Sequence, residues 1–406
     1  MQRLTVTLET VTPLFLAGAD PRGTPELRPP SFRGALRYWL RAALGGVYGD
    51  GPEGLAAVRR AEAQVFGSTT EGEAGASAVT LRIAKQDKLS SKPFSEIADW
   101  PQAATSPKRP GVAYLLFAAR GTKQEKERTA LLGSFDLLLQ MRPGHLDGEA
   151  AFAGAYAALW LLLHLGGLGN RAHRGAGALQ AVATSGQVVE GLPLAVNAET
   201  PGALRQDLAA GLTFLRKLVA GRTRPSQSTA PAFDCLQPAA CKVWVLDKTF
   251  PNWETCMNQI GLAYQQFRNK RRPDYDTVKG AMTSGRVLAQ PIQRAAFGLP
   301  IPYYYRSLNG DKATLESSSH DRRASPLWIR PVRLANGSYT AVLTWFQSLF
   351  LPTAESLQLR HGRDRLNGPL PDSKLIEAFI QGPDPDTARK SSLPEKGMRP
   401  LEVRYE

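Results

Sequence analysis

The sequence predicts an α+β protein whose N-terminal part forms a ferredoxin-like, or RRM-like, sheet with helices on one face. Apolar and polar residues alternate from Leu4 to Leu8, which indicates a first strand that ends near Thr12 and Pro13. Apolar residues then recur at helical spacing between residues 32 and 47, with Ser31 as the expected N-cap. Continued along the N-terminal half, the pattern gives the element order βα(α)ββ(β)αβ, which is typical of such a sheet.

The remaining elements follow from the same two periodicities. Short runs of β-branched, aromatic or alternating residues predict strands, and longer runs with apolar residues three or four apart predict helices. The predicted elements are a helix at 53–65, strands at 79–84, 112–118 and 135–141, a helix at 150–165, a strand at 178–184, a helix at 204–220, a strand at 242–246, a helix at 253–268, strands at 301–306, 327–334 and 339–346, and a helix at 372–380. The polar, proline-rich segment 85–111 is predicted to be a surface loop or finger.

The length of 406 residues and the hydrophobic content of 43% are enough for two or three domains with sizeable cores. The segment 222–232, RTRPSQSTAPA, has the composition of a linker. We therefore predict an N-terminal domain at 1–190, a helix and linker at 191–232, a C-terminal domain at 233–381, and a proline-rich tail at 382–406 that need not fold by itself.

The balance of charged residues narrows the class of partner. Fifty Lys and Arg residues against 36 Asp and Glu residues give a net charge of +14, which favours nucleic acid or an anionic membrane surface. The three cysteines, Cys235, Cys241 and Cys256, have neither CxxC spacing nor the density of a disulfide scaffold. Their pattern predicts a reducing, cytoplasmic location and no zinc site. The N-terminal residues include no apolar signal-peptide run, so secretion is not expected.

One apolar segment, 151–169, approaches the length of a membrane span. It is shorter than the ~20 residues that a span usually needs, contains His164, and ends in a basic loop with no flanking lysine cluster. We predict a helix buried in a large domain and no membrane contact.

The segment 166–177, GGLGNRAHRGAG, which we call the glycine loop, is the first candidate for binding a polyanion. Glycine allows close approach of the backbone to a ligand, and Arg171 and Arg174 offer planar donors that match phosphate oxygens. The loop lacks the lysine and Ser/Thr that end a P-loop, and it follows a helix, whereas a dinucleotide-binding motif follows a strand. We therefore expect no nucleotide cofactor. The alternative is a helix stopped by Gly166 and Gly167 and followed by a solvated turn.

Arg33, Arg37 and Arg41 form a second basic feature, because their i, i+4 spacing places them along one stripe of the predicted helix. The stripe begins near the helix N-terminus, where free N–H groups favour an anion. An ordinary solvated basic face is the alternative. A further basic run, from Arg268 to Arg272, either stabilises a helix C-terminus or contacts nucleic acid.

Three segments taken together resemble a known family. They are TPLFLAGADPRGTPELRPPSFRGALRYWLRA (12–42), GGLGNRAHRGAGAL (166–179), and FGLPIP with RRASPLWIRP (297–302 and 322–331). The set resembles the RAMP superfamily of CRISPR-associated proteins and, within it, the family of the first-numbered subunit of type III-B Cmr RNA-targeting complexes. The glycine loop alone is typical of RAMP proteins in general. The resemblance extends from residue 1 to about residue 350.

The resemblance implies two ferredoxin-like domains with insertions and a non-catalytic, RNA-binding role, with no cofactor and no metal. It implies a position near the 3′ end of the guide (CRISPR) RNA, beside a backbone subunit and the sixth Cmr subunit. There the protein would help to hold guide and target RNA for cleavage by another subunit. The residues that match the motifs, and that the resemblance assigns to RNA binding, are Arg28, Ser31, Arg33, Arg37, Asn170, Arg171, Arg174, Arg322, Arg323 and Ser325.

The sequence contains no RNP-like aromatic signature of an RNA-binding sheet. We therefore expect contacts to the RNA backbone through arginines and loop amides, largely independent of base sequence. Two other functions stay open. One is a metal-independent RAMP ribonuclease that processes CRISPR precursor RNA with His173 as general acid or base, and the other is an assembly subunit with little RNA contact.

The segment FGLPIPYYY at 297–305 is the first candidate for a partner surface, since aromatic residues are enriched in protein interfaces. The alternative is a core strand. Alternation along such a strand would bury either Tyr304 or both Tyr303 and Tyr305.

Overall fold

The structure is a computed structural model of the chain, and it describes residues 2–70, 75–101, 104–144, 148–220, 230–269, 271–320, 322–386 and 388–406. The helices are α1 (Pro29–Tyr48), α2 (Pro52–Phe66), α3 (Phe94–Ile97), α4 (Pro110–Leu115), α5 (Gly148–His164), α6 (Pro201–Ala220), α7 (Trp253–Arg268), α8 (Arg272–Ser284) and α9 (Lys374–Gln381). The strands are β1 (Arg3–Thr10), β2 (Val79–Ala84), β3 (Leu89–Pro93), β4 (Thr129–Met141), β5 (Leu179–Gly186), β6 (Cys241–Leu246), β7 (Ile301–Tyr305), β8 (Asp311–Ser317), β9 (Leu327–Arg333), β10 (Tyr339–Phe346), β11 (Leu357–His361), β12 (Asp364–Gly368) and β13 (Pro400–Val403).

The first sheet has the strand order β2-β4-β1-β5, and each neighbouring pair is antiparallel. Along the chain, β1 leads through α1 and α2 to β2, and β4 leads through α5 to β5. This βαββαβ order with β1 and β4 in the centre is a ferredoxin-like fold, so the prediction for the N-terminal half is confirmed. The additional strand β3 pairs with the first part of β4.

The second sheet repeats this topology in the C-terminal half. Its order is β13-β6-β10-β9, and β6, α7, β9, β10, α9 and β13 follow one another as a second βαββαβ unit. The predicted domain boundary at residue 381 leaves out β13, which lies in the proline-rich tail and pairs with β6. The topology requires it, because without β13 the unit lacks its fourth strand. Buried Asp384 accepts a hydrogen bond from Arg271 Nη2 at 3.0 Å and so fixes the path of the tail.

The third sheet, with order β12-β11-β8-β7, is built from two insertions into the C-terminal unit. The insertion between α7 and β9 supplies α8, β7 and β8, and the insertion between β10 and α9 supplies the β11–β12 hairpin. We expected the strand predicted at 301–306 to join those predicted at 327–334 and 339–346 in one sheet, but this expectation is wrong, because β7 pairs with β8 in the third sheet. Strands β8, β11 and β12 were not predicted, since each is short and contains at most two apolar residues.

The segment 85–118 also differs from its prediction. It contains β3, α3 and α4 instead of a continuous loop and a strand at 112–118, and residues 102–103 lie outside the described residues. Pro110 begins α4, where its missing N–H costs no hydrogen bond. A short apolar run does not by itself distinguish a strand from a buried helix, and here packing on α7 decides. The two helices are so close that a Cβ on Gly111 would overlap the Asn258 carbonyl group.

Helix α1 begins at Pro29, two residues before the predicted N-cap Ser31. Arg28 is the N-cap, and its side chain makes no capping hydrogen bond. Pro29 and Pro30 carry no N–H, and the Ser31 N–H donates to the Arg28 carbonyl oxygen at 3.1 Å. Residues 29–31 therefore offer no free amide to an anion, so any anion contact here depends on side chains.

The two ferredoxin-like units share one hydrophobic core, because the second sheet is covered on both faces. One face packs on α7 and α9 of its own unit, and the other packs on α1 of the N-terminal unit. At this second contact the Trp39 ring centroid lies 5.3 Å from that of Trp328 and 6.1 Å from that of Phe346. Most of the predicted linker, residues 222–229, lies outside the described residues.

The described residues of the two ferredoxin-like sheets offer no aromatic platform for RNA bases. The second sheet is covered, and the open face of the first sheet carries small or charged residues such as Thr5, Thr7, Arg82 and Asp136. Contacts to the RNA backbone through other surfaces remain the expected mechanism.

Helix α5, which approaches the length of a membrane span, is buried in the core as predicted. Within the described ranges, no helix is both long enough and apolar enough to cross a bilayer.

Candidate nucleic-acid interface

The three motif segments meet at one place between the two ferredoxin-like units. A cavity of about 400 Å³, which we call the junction cleft, opens there. Its lining includes Ser31 and Trp39 of α1, residues 167–169 of the glycine loop, His173, and Trp328 of β9. Motifs that are far apart in the sequence thus form one surface.

The glycine loop is held by main-chain hydrogen bonds from both units. The Gly177 N–H donates to the Pro13 carbonyl oxygen at 2.9 Å, and the Ile329 N–H of β9 donates to the His173 carbonyl oxygen at 3.2 Å. Gly177 has a φ of +64°, and a Cβ there would overlap the Leu168 carbonyl oxygen, so glycine is required. The loop is an ordered part of the junction, which argues against the alternative of a solvated turn.

Arg330 of β9, which is not among the predicted site residues, fixes the loop from within the core. Its buried guanidinium donates to the carbonyl oxygens of Gly166 at 2.8 Å, Leu179 at 2.6 Å, and Leu163. These carbonyls belong to the end of α5, the start of the glycine loop and the start of β5. Burial lowers the pKa of Arg330 to about 9, which still leaves it cationic at pH 7. In the sequence, the signal for this role is a single arginine within an otherwise apolar strand, LWIRPV.

His173 lies against Trp328 in the junction cleft, with 3.6 Å between the ring centroids. Its Nδ1 donates to the Ser325 carbonyl oxygen at 2.7 Å. Burial lowers the pKa of His173 to about 4, so the ring is neutral at pH 7. The Ser325 Oγ in turn accepts from the Leu327 N–H at 3.2 Å. His173 and Ser325 therefore join the glycine loop to the start of β9.

Arg28, Ser31 and Arg33 of the N-terminal motif are half-buried at the start of α1, beside the junction cleft. Arg28 Nη1 lies 3.9 Å from the Glu26 carboxylate, and Arg33 has no ion pair with any residue that the structure describes. The Nε atoms of both arginines are shielded from solvent and find no acceptor among the described residues. These two arginines retain donors for an anionic ligand.

Arg37, by contrast, is fully engaged within the protein. Its Nη1 donates to Glu62 Oε1 at 2.6 Å, and its Nη2 donates to the carbonyl oxygens of Phe66 at 2.7 Å and Gly67 at 2.6 Å. Arg41 pairs with the same carboxylate, whose side chain is 4% exposed. The predicted basic stripe is therefore largely a charge cluster that joins α1 to α2.

Asn170, Arg171 and Arg174 of the glycine loop do not line the junction cleft. Asn170 has a buried Oδ1 that lacks a donor within the described part of the chain. Arg171 donates from Nε to the Leu115 carbonyl oxygen at 2.9 Å. Arg174 is 8% exposed and donates from Nη2 to the Phe297 carbonyl oxygen at 2.9 Å. The loop arginines face α4 and the segment that precedes β7.

Arg322 and Arg323 precede β9 and differ in their contacts. Arg323 donates from Nε to the Phe350 carbonyl oxygen at 2.8 Å and from Nη2 to Ser348 Oγ at 3.1 Å. Arg322 is exposed and makes no hydrogen bond or ion pair to the residues described. Arg323 is therefore a structural contact, and Arg322 is available to a ligand.

Arg128, at the start of β4, adds to this basic surface without any sequence signal. Burial lowers its pKa, and the charges of Arg22 and Arg322 lower it further. Arg22 is itself paired with Glu125 at 2.6 Å. Arg128 and Arg322 thus bring two positive charges together beside the N-terminal motif.

The candidate partner surface at 297–305 behaves mainly as a core strand. Tyr303 and Tyr305 are buried, and Tyr304 is 56% exposed, which is the alternation expected of β7.

The described residues include no group of three or more His, Cys, Asp or Glu side chains that could hold a metal ion. Cys235, Cys241 and Cys256 are all buried. Burial raises the pKa of Cys235 to about 12, and it also raises the pKa values of Cys241 and Cys256, so the thiols stay protonated at pH 7.

Sequence comparison relates the chain to two curated proteins of Pyrococcus furiosus. It is 27% identical over 352 residues to "CRISPR system Cmr subunit Cmr1-1", which covers 86% of this chain and 89% of that protein. It is 33% identical over 184 residues to "CRISPR system Cmr subunit Cmr1-2", which covers 43% of this chain and 91% of that protein. A sequence profile of the RAMP superfamily matches residues 7–180. The chain belongs to the Cmr1 family of the RAMP superfamily.

Solved structures show the same fold for this RAMP protein. The crystal structure of Cmr1 from Pyrococcus furiosus in its apo form is 21% identical, with a TM-score of 0.62 over 99% of each chain. A chain in the cryo-EM structure of the type III-B Cmr-beta complex bound to cognate target RNA is 11% identical, with a TM-score of 0.50. That match covers 93% of this chain and 98% of the other. The expected architecture of two ferredoxin-like units with insertions is confirmed.

Substitution of Arg37 should destabilise the fold. We expect Arg37→Ala to lower the free energy of unfolding by about 1–3 kcal/mol, because Glu62 loses a charged partner and two carbonyl groups lose a donor. Urea denaturation at pH 7 measures the change. Arg33→Ala is the matched control on the same helix, and it should change stability by less than about 0.5 kcal/mol. Equal stability of Arg37→Ala and the wild type would contradict the claim that the contacts of Arg37 stabilise the fold.

His173 should make the protein less stable in mild acid. The unfolded chain protonates this residue near its ordinary pKa of 6.5, whereas the folded chain keeps it neutral down to about pH 4. Its stabilising effect is complete above pH 6.5 and is lost as the pH falls towards 4. Between pH 7 and pH 5 the free energy of unfolding should fall by about 2 kcal/mol through this residue.

Urea denaturation of His173→Gln at pH 7 and pH 5 tests this linkage. The variant should lose less stability over this interval than the wild type does. An identical pH dependence in the two proteins would show that His173 is not held neutral.

Proposed function

We propose that this protein is the Cmr1 subunit of a type III-B Cmr effector complex and binds guide and target RNA without cutting either. In this proposal it acts in the cytoplasm, near the 3′ end of the guide RNA, beside a backbone subunit and the sixth Cmr subunit. Another subunit cleaves the target. The curated relatives are named as Cmr subunits, and a chain of similar fold occurs in a Cmr complex bound to cognate target RNA.

One observation carries the RNA-binding part of the proposal. The three motif segments meet at the junction cleft, and among their arginines Arg28, Arg33 and Arg322 keep guanidinium groups whose donors are not all used within the described protein. With Arg128 they add positive charge to one region of a chain whose net charge is +14. Such a region attracts a polyanion and displaces its counterions.

The chemistry of this surface favours the RNA backbone over the bases. A guanidinium group binds phosphate oxygens through two parallel hydrogen bonds, and such contacts carry no base sequence. A subunit that works this way accepts a guide of any sequence. Ser31, which lines the cleft, adds a hydroxyl group that can bind phosphate or ribose.

The other predicted residues divide by their contacts. Arg37, Arg323 and Ser325 act in this proposal as positioning residues that hold α1, the glycine loop and β9 in place. Asn170, Arg171 and Arg174 remain candidate RNA contacts on a different side of the glycine loop.

The environment of His173 supports a non-catalytic role over the alternative of a processing ribonuclease. A general base or acid acts best with a pKa near the working pH, whereas burial lowers the pKa of His173 to about 4. Its Nδ1 is used by the Ser325 carbonyl group, and its ring is stacked on Trp328. This is the environment of a half-buried histidine that holds the glycine loop against β9.

Loss of two unpaired arginines should weaken RNA binding without affecting the fold. We expect the double variant Arg33→Gln, Arg322→Gln to bind single-stranded RNAs of unrelated sequence less tightly, by a similar factor for each. The plot of log K against log salt has a negative slope, and its magnitude should fall by about 1.4. Each lost contact between an arginine and a phosphate removes the release of about 0.7 counterion.

Fluorescence anisotropy at several salt concentrations measures this slope. The double variant Arg363→Gln, Arg365→Gln is the matched control, because both arginines are exposed near the β11–β12 turn, outside the three motifs. An unchanged slope in the Arg33, Arg322 variant, with wild-type circular dichroism, would exclude these two arginines from the RNA interface.

The purified protein should leave RNA uncut. We expect CRISPR repeat RNA and guide-paired target RNA to stay intact on incubation with or without Mg²⁺, as judged on denaturing gels. Specific cleavage by the wild type that disappears in His173→Gln would support the processing ribonuclease instead.

A further inference from the structure

Three arginines meet on the side of the glycine loop that faces α4 and α7, away from the junction cleft. Arg171 and Arg174 come from the loop, and Arg268 comes from the last turn of α7. The guanidinium carbons of Arg174 and Arg268 lie 4.6 Å and 5.0 Å from the ring centroid of Tyr264. Burial, and then the charges of Arg174 and Arg268, lower the pKa of Arg171 to about 10. We call these three arginines, with Tyr114 and Tyr264, the arginine cluster.

The arginines of this cluster have neutral partners within the described residues. Arg171 donates to the Leu115 carbonyl oxygen at 2.9 Å, and Arg174 donates to a carbonyl oxygen of the segment before β7. Arg268 Nη1 donates to the Tyr114 hydroxyl oxygen at 3.2 Å. No described carboxylate forms an ion pair with any of the three. Three positive charges are therefore close together without a compensating negative charge.

Neighbouring arginines in this part of the fold, unlike those of the cluster, have carboxylate partners. Arg271 Nη2 pairs with Asp384 at 3.0 Å, and Arg294 Nε lies 3.8 Å from Asp274. Buried arginines normally have such partners, since burial of an uncompensated charge is unfavourable. The arginine cluster departs from this pattern within the same region.

Several donors of the cluster are also unused. Arg174 is 8% exposed, and its Nη1 has no acceptor among the described residues. The Arg268 Nε is likewise shielded from solvent and finds no acceptor in the described part of the chain. Contact with an aromatic ring partly offsets the charge of a guanidinium but does not satisfy its N–H groups.

The backbone at Arg171 supports a role for its side chain. Arg171 has a φ of +63°, in the left-handed region that glycine adopts more easily. Five glycines lie within the same short loop, so a glycine at this position would suit the local conformation.

Arg171, Arg268 and Tyr114 are half-buried, which leaves the cluster accessible from solvent.

We propose that the arginine cluster is a binding site for one phosphate group, with Arg171, Arg174 and Arg268 as donors. A tetrahedral phosphate presents oxygens in several directions at once, which matches guanidinium groups that approach from a loop and from a helix. The assignment of that phosphate to an RNA backbone rests on the proposed function, because a free phosphate would use the same donors.

The first experiment measures phosphate binding by the full-length chain. We expect inorganic phosphate to raise the melting temperature more than sodium chloride does at the same ionic strength. Arg268→Gln should weaken the apparent phosphate affinity about 10-fold or more, since a charged hydrogen bond is lost. Arg363→Gln, an exposed arginine outside the cluster, is the control and should retain the full shift. Arg171→Gln repeats the test if Arg268→Gln does not fold by circular dichroism.

The second experiment measures RNA binding by the same variants at several salt concentrations. A slope of log K against log salt that decreases by about 0.7 in Arg268→Gln assigns the site to an RNA phosphate. An unchanged slope together with a lost phosphate shift assigns it to a free phosphate. The proposal is overturned if the wild type shows no phosphate-specific shift and Arg268→Gln and Arg171→Gln leave the slope unchanged.

These outcomes are distinct from failure of the proposed function. If the wild-type chain binds no RNA but shows a phosphate shift that Arg268→Gln removes, the RNA-binding function fails and the phosphate site stands. If Arg33 and Arg322 contribute to RNA binding and the cluster variants change neither measurement, the function stands and the phosphate site fails.

Discussion

Burial of the second sheet on both of its faces is the constraint on which the rest of the structure depends. Trp328 and Arg330 lie on the face of β9 that packs against the N-terminal unit. The tryptophan contacts Trp39 of α1, and the arginine carries a positive charge into the interior, where three carbonyl oxygens accept its hydrogen bonds. Separation of the units would expose the aromatic cluster and leave those carbonyls without a donor, so the two units are expected to fold and act as one.

This constraint also explains the chemistry of the candidate interface. Because β9 anchors the glycine loop through hydrogen bonds, the loop arginines occupy defined positions between the units. Motif arginines consequently divide into those that stabilise the junction, such as Arg37 and Arg323, and those with donors left for a ligand, such as Arg33 and Arg322. A shared sequence motif therefore contains arginines that are used within the fold and arginines that keep unused donors, and the difference lies in the tertiary contacts of each guanidinium group.

The sequence could predict the regular elements whose periodicity is strong, and it could predict the motifs, but it could not predict which side chains are free. The apolar spacing of α7 predicted both of its bounds, and that of α1 predicted its bounds to within three residues. The strand β13 and the third sheet depend on pairing between distant segments, which no local pattern specifies. Arg330 looks like an interruption in an apolar strand until the carbonyl groups around it are known. Likewise, Glu62 and Arg37 lie on different helices, and their pairing follows from tertiary packing alone.

The role of β9 in holding the glycine loop is tested most directly by hydrogen exchange, detected by mass spectrometry, of the Arg330→Met variant at pH 7. We expect faster exchange both in β9 and across residues 163–179, because one guanidinium group joins them. Peptides from the third sheet, which does not contact this group, serve as the internal control and should exchange as in the wild type. Faster exchange confined to β9, with residues 163–179 as protected as in the wild type, would contradict the claim that β9 holds the glycine loop in place.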